Sequence, residues 1–195
     1  MFCVRVYGLD IETDTTINGV SPKDSSVISA AVASADGSVC EVFDAASERE
    51  LLEQLLGYLE GLEPGIITTW NGSGFDLAFL VERMRIVGIT HPWTLWPSAR
   101  AAKYPPVGGH TVRAKLSSHS HADIAYAFKA LATDCSIEWA LKPMARHFGH
   151  DPVEVDRAAT HLLTSSELRA YVASDAIVTA ALAEHLGEGL LLWVD

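Results

Sequence analysis

Residues 7–13 read Tyr7-Gly8-Leu9-Asp10-Ile11-Glu12-Thr13. With Val4 and Val6 ahead of them, Leu9 and Ile11 supply the apolar content of a strand predicted over residues 2–12. Asp10 and Glu12 stand at i and i+2, so on a strand both carboxylates project from one face. Such a pair repels itself and raises its own pKa values unless a cation lies between them. Hard oxygen ligands of this kind suit magnesium. An exposed acidic strand end is the plainer reading of the pair taken alone. A calcium loop is excluded, because Thr15 stands where its turn needs glycine and Ser21 where its bidentate glutamate belongs.

Outward from this strand, residues 27–34 and 39–43 read as two further strands joined by a turn at Ala35-Asp36-Gly37-Ser38. Ser47 and Glu50 form a capping-box pattern before a helix with Leu51, Leu52, Leu55, Leu56 and Leu59 on one face, ending near Gly61. Residues 66–70 suit a short buried strand. Gly72-Ser73-Gly74 breaks the chain before a helix over about 75–87. Residues 89–122, rich in Pro, Gly, Ser and His, are the least regular part and suit an insertion or a hairpin. A helix over 138–148 stops at Gly149, 151–163 is a connector, and Thr164 with Glu167 caps a helix running to about His185. The pattern predicts an α/β domain, a mixed central sheet flanked by helices, with residues 1–195 as one domain.

Nearly half of the 195 residues are hydrophobic, enough for a sizeable core. No apolar run reaches the roughly 20 residues that span a bilayer, so no membrane partner is expected. The N-terminus lacks a secretory pattern. Cys3, Cys40 and Cys135 are scattered, which argues against disulfides and a cysteine zinc site and suits a reduced, cytoplasmic setting. The run 190–194 is expected to pack as core or contact surface. The formal net charge is −11, yet between Arg83 and Ala122 there is no acid. That stretch holds Arg83, Arg85, Arg100, Lys103, Arg113 and Lys115. Such asymmetry marks a candidate phosphate-contacting surface; a loop cleared of acids by chance is the alternative.

Asp76 falls in the first turn of a helix, where acids oppose the macrodipole and Ser73 could cap, so helix capping is its simplest explanation. Tyr171 and Asp175 stand at i and i+4 and share a helix face. Asp175 sits among Val172, Ala176, Ile177 and Val178, where an aspartate needs a partner; a metal would supply one, as would a hydrogen bond on an exposed stripe. His119 and His121 on an extended segment are expected to be solvated, with a third ion there disfavoured.

Together these pieces resemble the DEDD superfamily of 3′–5′ exonucleases, which have a ribonuclease H-like fold. Asp10-Ile11-Glu12-Thr13 matches that superfamily's Asp-x-Glu motif. Asn71-Gly72-Ser73-Gly74-Phe75-Asp76 matches the Asn-x-x-x-Phe-Asp form in the proofreading domain of family B DNA polymerases. Tyr171-Val172-Ala173-Ser174-Asp175 matches Tyr-x-x-x-Asp, and Ala170 occupies the position where the histidine subgroup has His. His121-Ala122-Asp123-Ile124 and residues 136–149 resemble the strand and the helix before the third motif. The resemblance spans almost the whole chain, which looks like a free-standing relative of the polymerase exonuclease domain.

The resemblance implies two divalent ions, Mg²⁺ or Mn²⁺, with Asp10, Glu12 and Asp175 on one, Asp10 bridging to the second, and Asp76 on the second side through water. Tyr171 would orient the attacking water, since a pKa of about 10 makes a tyrosine a poor base at neutral pH. Thr13 and Phe75 would touch the terminal nucleotide, and Asn71 would position the substrate or brace the bend, although Phe75 also suits plain core. Arg113 and Lys115 would grip the strand, and Trp93, Trp96 and Tyr104 could stack on bases, with burial the alternative for at least one tryptophan. The implied partner is the 3′ end of single-stranded DNA or RNA, together with repair or replication proteins. A non-catalytic nucleic-acid-binding subunit is the reading of another class; loss of a carboxylate would be its signature, and all four are present.

Overall fold

The computed structural model describes residues 4–195, the side chains of 157–159 excepted. Strands β1 (Val6–Thr13), β2 (Val27–Ala33) and β3 (Cys40–Phe43) form an antiparallel meander. β4 (Ile66–Thr69) lies parallel to β1 on its other edge, and β7 (His119–Asp123) lies parallel to β4. β6 (Val112–Leu116) and β5 (Thr94–Pro97) continue antiparallel, giving one mixed seven-stranded sheet of order β3-β2-β1-β4-β7-β6-β5. The segment 89–122 is thus more regular than its composition suggests, because three of its stretches pair at the sheet edge. Of the strand predicted over 2–12, Val4 is exposed and precedes β1. Residues 2 and 3, with Cys3, lie outside the described residues.

Alternation along β1 and β2 covers both faces of the sheet. Tyr7, Leu9, Ile11, Ala30 and Val32 join a core with the leucines of α1 (Glu48–Gly61) and Leu77, Phe79, Leu80 and Met84 of α2 (Asp76–Ile86). Only half of the first capping box forms: Ser47 Oγ accepts from the Glu50 amide, while the Glu50 carboxylate accepts from Gln54 Nε2. On the opposite face runs α5 (Ser165–His185), started by the complete Thr164–Glu167 capping box. Its Val172 and Ala176 pack on Ala31 and Ala33 of β2. Gly8 lets α5 lie directly on β1, since a Cβ there would sit 1.9 Å from the Ala176 carbonyl oxygen. Asp10 and Glu12 follow Gly8 on the same face of β1.

A second core joins Ile66, Ala122 and Ile124 to Val178 and Leu182 of α5, to Ala132 of α3 (Lys129–Asp134), and to Leu141, Met144 and Ala145 of α4 (Leu141–His147). The helix predicted over 138–148 is shorter in fact. Ser136 has a left-handed φ of 55° and Ala140 is extended. Pro143 has no N–H and is tolerated in the first helical turn, which is where α4 places it. Gly149, with φ 83°, ends α4 as the sequence suggests, and His150 N donates to Ala145 O over the end.

In the C-terminal run, Leu190 is buried and Trp193 and Val194 pack on the second core, while Leu191 and Leu192 are exposed. Val194 bridges Ala122, and Asp195 N donates to His121 O. Cys40 and Cys135 are free thiols. Among the described residues no helix is long and apolar enough to cross a membrane.

Candidate active site

β1, the β4–α2 turn and α5 converge on one cleft of about 630 Å³, within the usual size range of ligand sites. Asp10 and Glu12 enter from β1 and Asp175 from α5, and carboxylate oxygens of all three lie within 4.8 Å of one another. Three carboxylates this close are stable together when cations are bound or protons retained. This oxygen-only donor set suits Mg²⁺ or Mn²⁺ and lacks the nitrogen and sulfur that zinc favours. The exposed-acid reading of Asp10 and Glu12 therefore gives way to a cluster.

Asp76 and Tyr171 line the same cleft. Asp76 stands outside the tight cluster, yet it is buried, and it does not serve as the capping residue of α2. The cap position belongs to Phe75, and no side chain caps α2. Desolvation pushes the Asp76 carboxyl up to about 7, and the Asp123 charge adds to this. Backbone hydrogen bonds from its own amide and from Ile11 oppose the rise and tie Asp76 to β1 between Asp10 and Glu12.

Two further residues build the site, and the sequence reading assigned neither of them a role there. Asp123, fully buried at the end of β7, accepts from the amides of Asn71 (2.9 Å) and Ser73 (3.0 Å) and so holds the β4–α2 turn that delivers Asp76. Its sequence signal is its place in His121-Ala122-Asp123-Ile124, which the resemblance marked as a strand without giving Asp123 a role. Desolvation raises its carboxyl, and those amides and His121 oppose the rise. Lys142, buried on α4, places Nζ 3.4 Å from Asp175 Oδ1 and 4.0 Å from the Tyr171 ring centroid, and it donates to Val153 O. A buried lysine beside three carboxylates offsets their mutual repulsion. No spacing rule marks it.

Of the expected nucleotide-contacting residues, Thr13, Asn71 and Phe75 line the cleft. Thr13 Oγ1 donates to Gly19 O at 2.6 Å, which fixes the loop after β1. Asn71, with φ 68°, accepts at its carbonyl from Gly74 N and Phe75 N and braces the bend. Phe75 packs on Phe79 of the core and also lines the cleft.

Arg113 and Lys115 do not reach the cleft. β6 turns Val112, Ala114 and Leu116 inward, leaving these two exposed on the other face. β6 also lies three strands from β1, at about 4.8 Å per step. Arg83 pairs with Glu48, Arg85 with Glu82 and Arg100 with Asp195. Lys103 and Tyr104 are the members of the segment that line the cleft beside Pro105 and Pro106. Trp93 is core, and Trp96 is exposed on β5. His119 and His121 are buried, against the solvated reading, because both faces of β7 are covered. His119 Nδ1 accepts from Gly65 N and Nε2 bonds Leu59 O, while His121 bonds Thr69 Oγ1 and Asp195. All four ring nitrogens are thereby engaged in hydrogen bonds.

A family model for the exonuclease domain of family B DNA polymerases matches residues 3–106, which include the first two motifs. DNA polymerase 2 of Aeropyrum pernix is 28% identical over 88 residues, 44% of this chain and 11% of that protein. A DNA polymerase of Pyrococcus glycovorans is 41% identical over 46 residues, 24% of this chain and 6% of that protein. The solved family B DNA polymerase of Pyrobaculum calidifontis superposes with a TM-score of 0.71 over 95% of this chain and 25% of its own, at 22% identity. The chain thus matches about a tenth or less of the length of these curated relatives and a quarter of the solved polymerase. The superposition establishes the ribonuclease H-like fold.

Proposed function

The chain belongs to the family of DNA polymerase family B exonuclease domains, and from that membership we propose that it is a metal-dependent 3′–5′ exonuclease that releases mononucleotides from single-stranded DNA or frayed ends. One observation carries the reading. Carboxylates from β1 and α5, more than 160 residues apart in the chain, meet within 4.8 Å at the floor of a cleft that Asp76 and Tyr171 also line. A non-catalytic binding subunit has no need of that cluster.

Asp10, Glu12 and Asp175 would hold divalent ions, with Asp76 serving from the β4–α2 turn. Bound there, two divalent ions would lower the pKa of a water and stabilise charge on the departing 3′-oxygen. Tyr171, packed under Lys142, orients the attacking water. Lys142 keeps the Asp175 carboxylate in place. Asn71 and Phe75 form the wall against the terminal nucleotide, and Thr13 fixes the loop opposite. The water oxygen bonds to phosphorus, the bond from phosphorus to the 3′-oxygen breaks, and a 5′-mononucleotide leaves.

The test uses 5′- and 3′-labelled single-stranded DNA and RNA with Mg²⁺ or Mn²⁺, and Asp10→Ala as control. The expected result is stepwise shortening of 5′-labelled DNA and immediate loss of a 3′ label as mononucleotide. Faster loss of RNA would assign the site to RNA instead. No degradation of either polymer would remove the nuclease reading.

A further inference from the structure

The α3–α4 linker contributes Trp139 and Ala140 to the lining of the cleft. Trp139, half-buried in that linker, lines the cleft. Its ring is fixed: Nε1 donates to Ala125 O at 2.6 Å, and Tyr126 meets it edge-on at 6.0 Å. Two ammonium groups flank it, Lys129 Nζ at 4.9 Å and Lys103 Nζ at 5.9 Å from the ring centroid. Lys103 also donates to Trp139 O at 2.5 Å and lies 5.0 Å from the ring of Tyr104, which is 59% exposed. The loop carrying Lys103 and Tyr104 is anchored at its far end, where Val107 N donates to Gly74 O next to Phe75.

Both ammonium groups make cation–π contacts with this partly exposed indole, which lines the acidic cleft. No acid is paired with Lys103 or Lys129 among the described residues. Each ammonium has three donors, and Lys103 has so far used one of them. A flat aromatic face beside point charges matches a nucleobase beside its phosphates.

We propose that Lys103, Trp139 and Lys129 form a subsite for the nucleotides immediately 5′ of the terminal one, Trp139 stacking on a base and the two lysines contacting phosphates. This rests on the exonuclease reading and extends it. It puts the electrostatic grip around Trp139, with Lys103 lining the same cleft as the carboxylates, and it removes that role from Arg113 and Lys115.

The test is binding of a 5′-fluorescein oligothymidylate in Mg²⁺ to protein carrying Asp175→Asn, which holds the strand uncut. Lys129→Ala removes no side-chain hydrogen bond, only the cation–π contact with Trp139. It should lower the slope of log Kd against log salt by about 0.7, the increment for one phosphate contact on a single strand. Trp139→Leu should weaken binding roughly five- to 150-fold, the range for loss of one stacked base, and Trp139→Phe should restore most of it. Abasic sites at the second and third positions from the 3′ end should reproduce that loss, and they should add nothing to Trp139→Leu. If the unsubstituted chain digests DNA while Lys129→Ala and Trp139→Leu keep full affinity and slope, the subsite is wrong and the exonuclease reading stands. If the unsubstituted chain neither binds nor digests DNA, both fall.

Discussion

Gly8→Ala is the smallest change that separates the two halves of the site. The added methyl would lie 1.9 Å from the Ala176 carbonyl oxygen and 3.0 Å from Ala180 N, both backbone atoms of α5. Backbone cannot swing aside as a side chain can, so α5 must retreat from β1 by about 1 Å to reach the closest contact a methyl tolerates. Asp175 immediately precedes Ala176, and Tyr171 lies about one turn earlier on the same helix. The retreat therefore opens the Asp175 carboxylate away from Asp10 and Glu12 while leaving every catalytic side chain in the sequence. Overpacking of this kind costs about 1–3 kcal/mol of stability. Misplacement of a reacting constellation by about 1 Å costs on the order of 100-fold in rate. The assay pairs urea unfolding with mononucleotide release from single-stranded DNA, measured where the variant is still folded. A folded Gly8→Ala protein with native activity would refute the claim that the contact between β1 and α5 builds the site.

Three further outcomes follow from the same geometry. Lys142→Met leaves the Asp175 carboxylate buried without its cation and should cost about 3–5 kcal/mol in metal-free protein, as broken buried pairs do; added Mg²⁺ should recover part of it, and equal stability with and without Mg²⁺ would contradict the shared site. In metal-free protein the Asp76 carboxyl, raised from 3.8 to about 7, favours the folded state most below pH 4. That contribution is lost as pH rises towards 7, by at most about 4 kcal/mol; Asp76→Asn should flatten the decline in urea midpoint between pH 5 and 8, and an unchanged slope would contradict the burial argument. Arg113→Glu with Lys115→Glu should leave affinity for a short single strand unchanged at fixed salt, since β6 lies outside the cleft; a loss above tenfold would return those residues to the binding surface.

The parts of the fold written in local pattern were legible. β1, β2 and β3, the leucine face of α1 and the Thr164 start of α5 each follow from alternation, helical periodicity or a cap. The cluster at Asp10, Glu12 and Asp175 was legible as two motifs, because each keeps its residues at fixed spacing on one element. Asp76 was harder. At a helix start an acid has a sufficient local explanation, and only the approach of β1 at Ile11 makes it a buried cleft residue. Asp123 and Lys142 act across the fold, through a turn 50 residues away and a helix 33 residues away, so no local pattern marks them. The burial of His119 and His121 was not legible, because exposure of a strand depends on what covers each face, and strand order places β7 between β4 and β6.

The most direct test of the central claim is the initial rate of mononucleotide release from a 5′-labelled single-stranded oligonucleotide in Mg²⁺, comparing the native chain with Asp175→Asn. If β1 and α5 share one catalytic metal centre, the native chain shortens the strand from its 3′ end. The variant, still folded, should then be slower by a factor on the order of 100 or more, the scale for losing one preorganised charge-stabilising group. Equal rates in the two proteins, or shortening from the 5′ end, would contradict it.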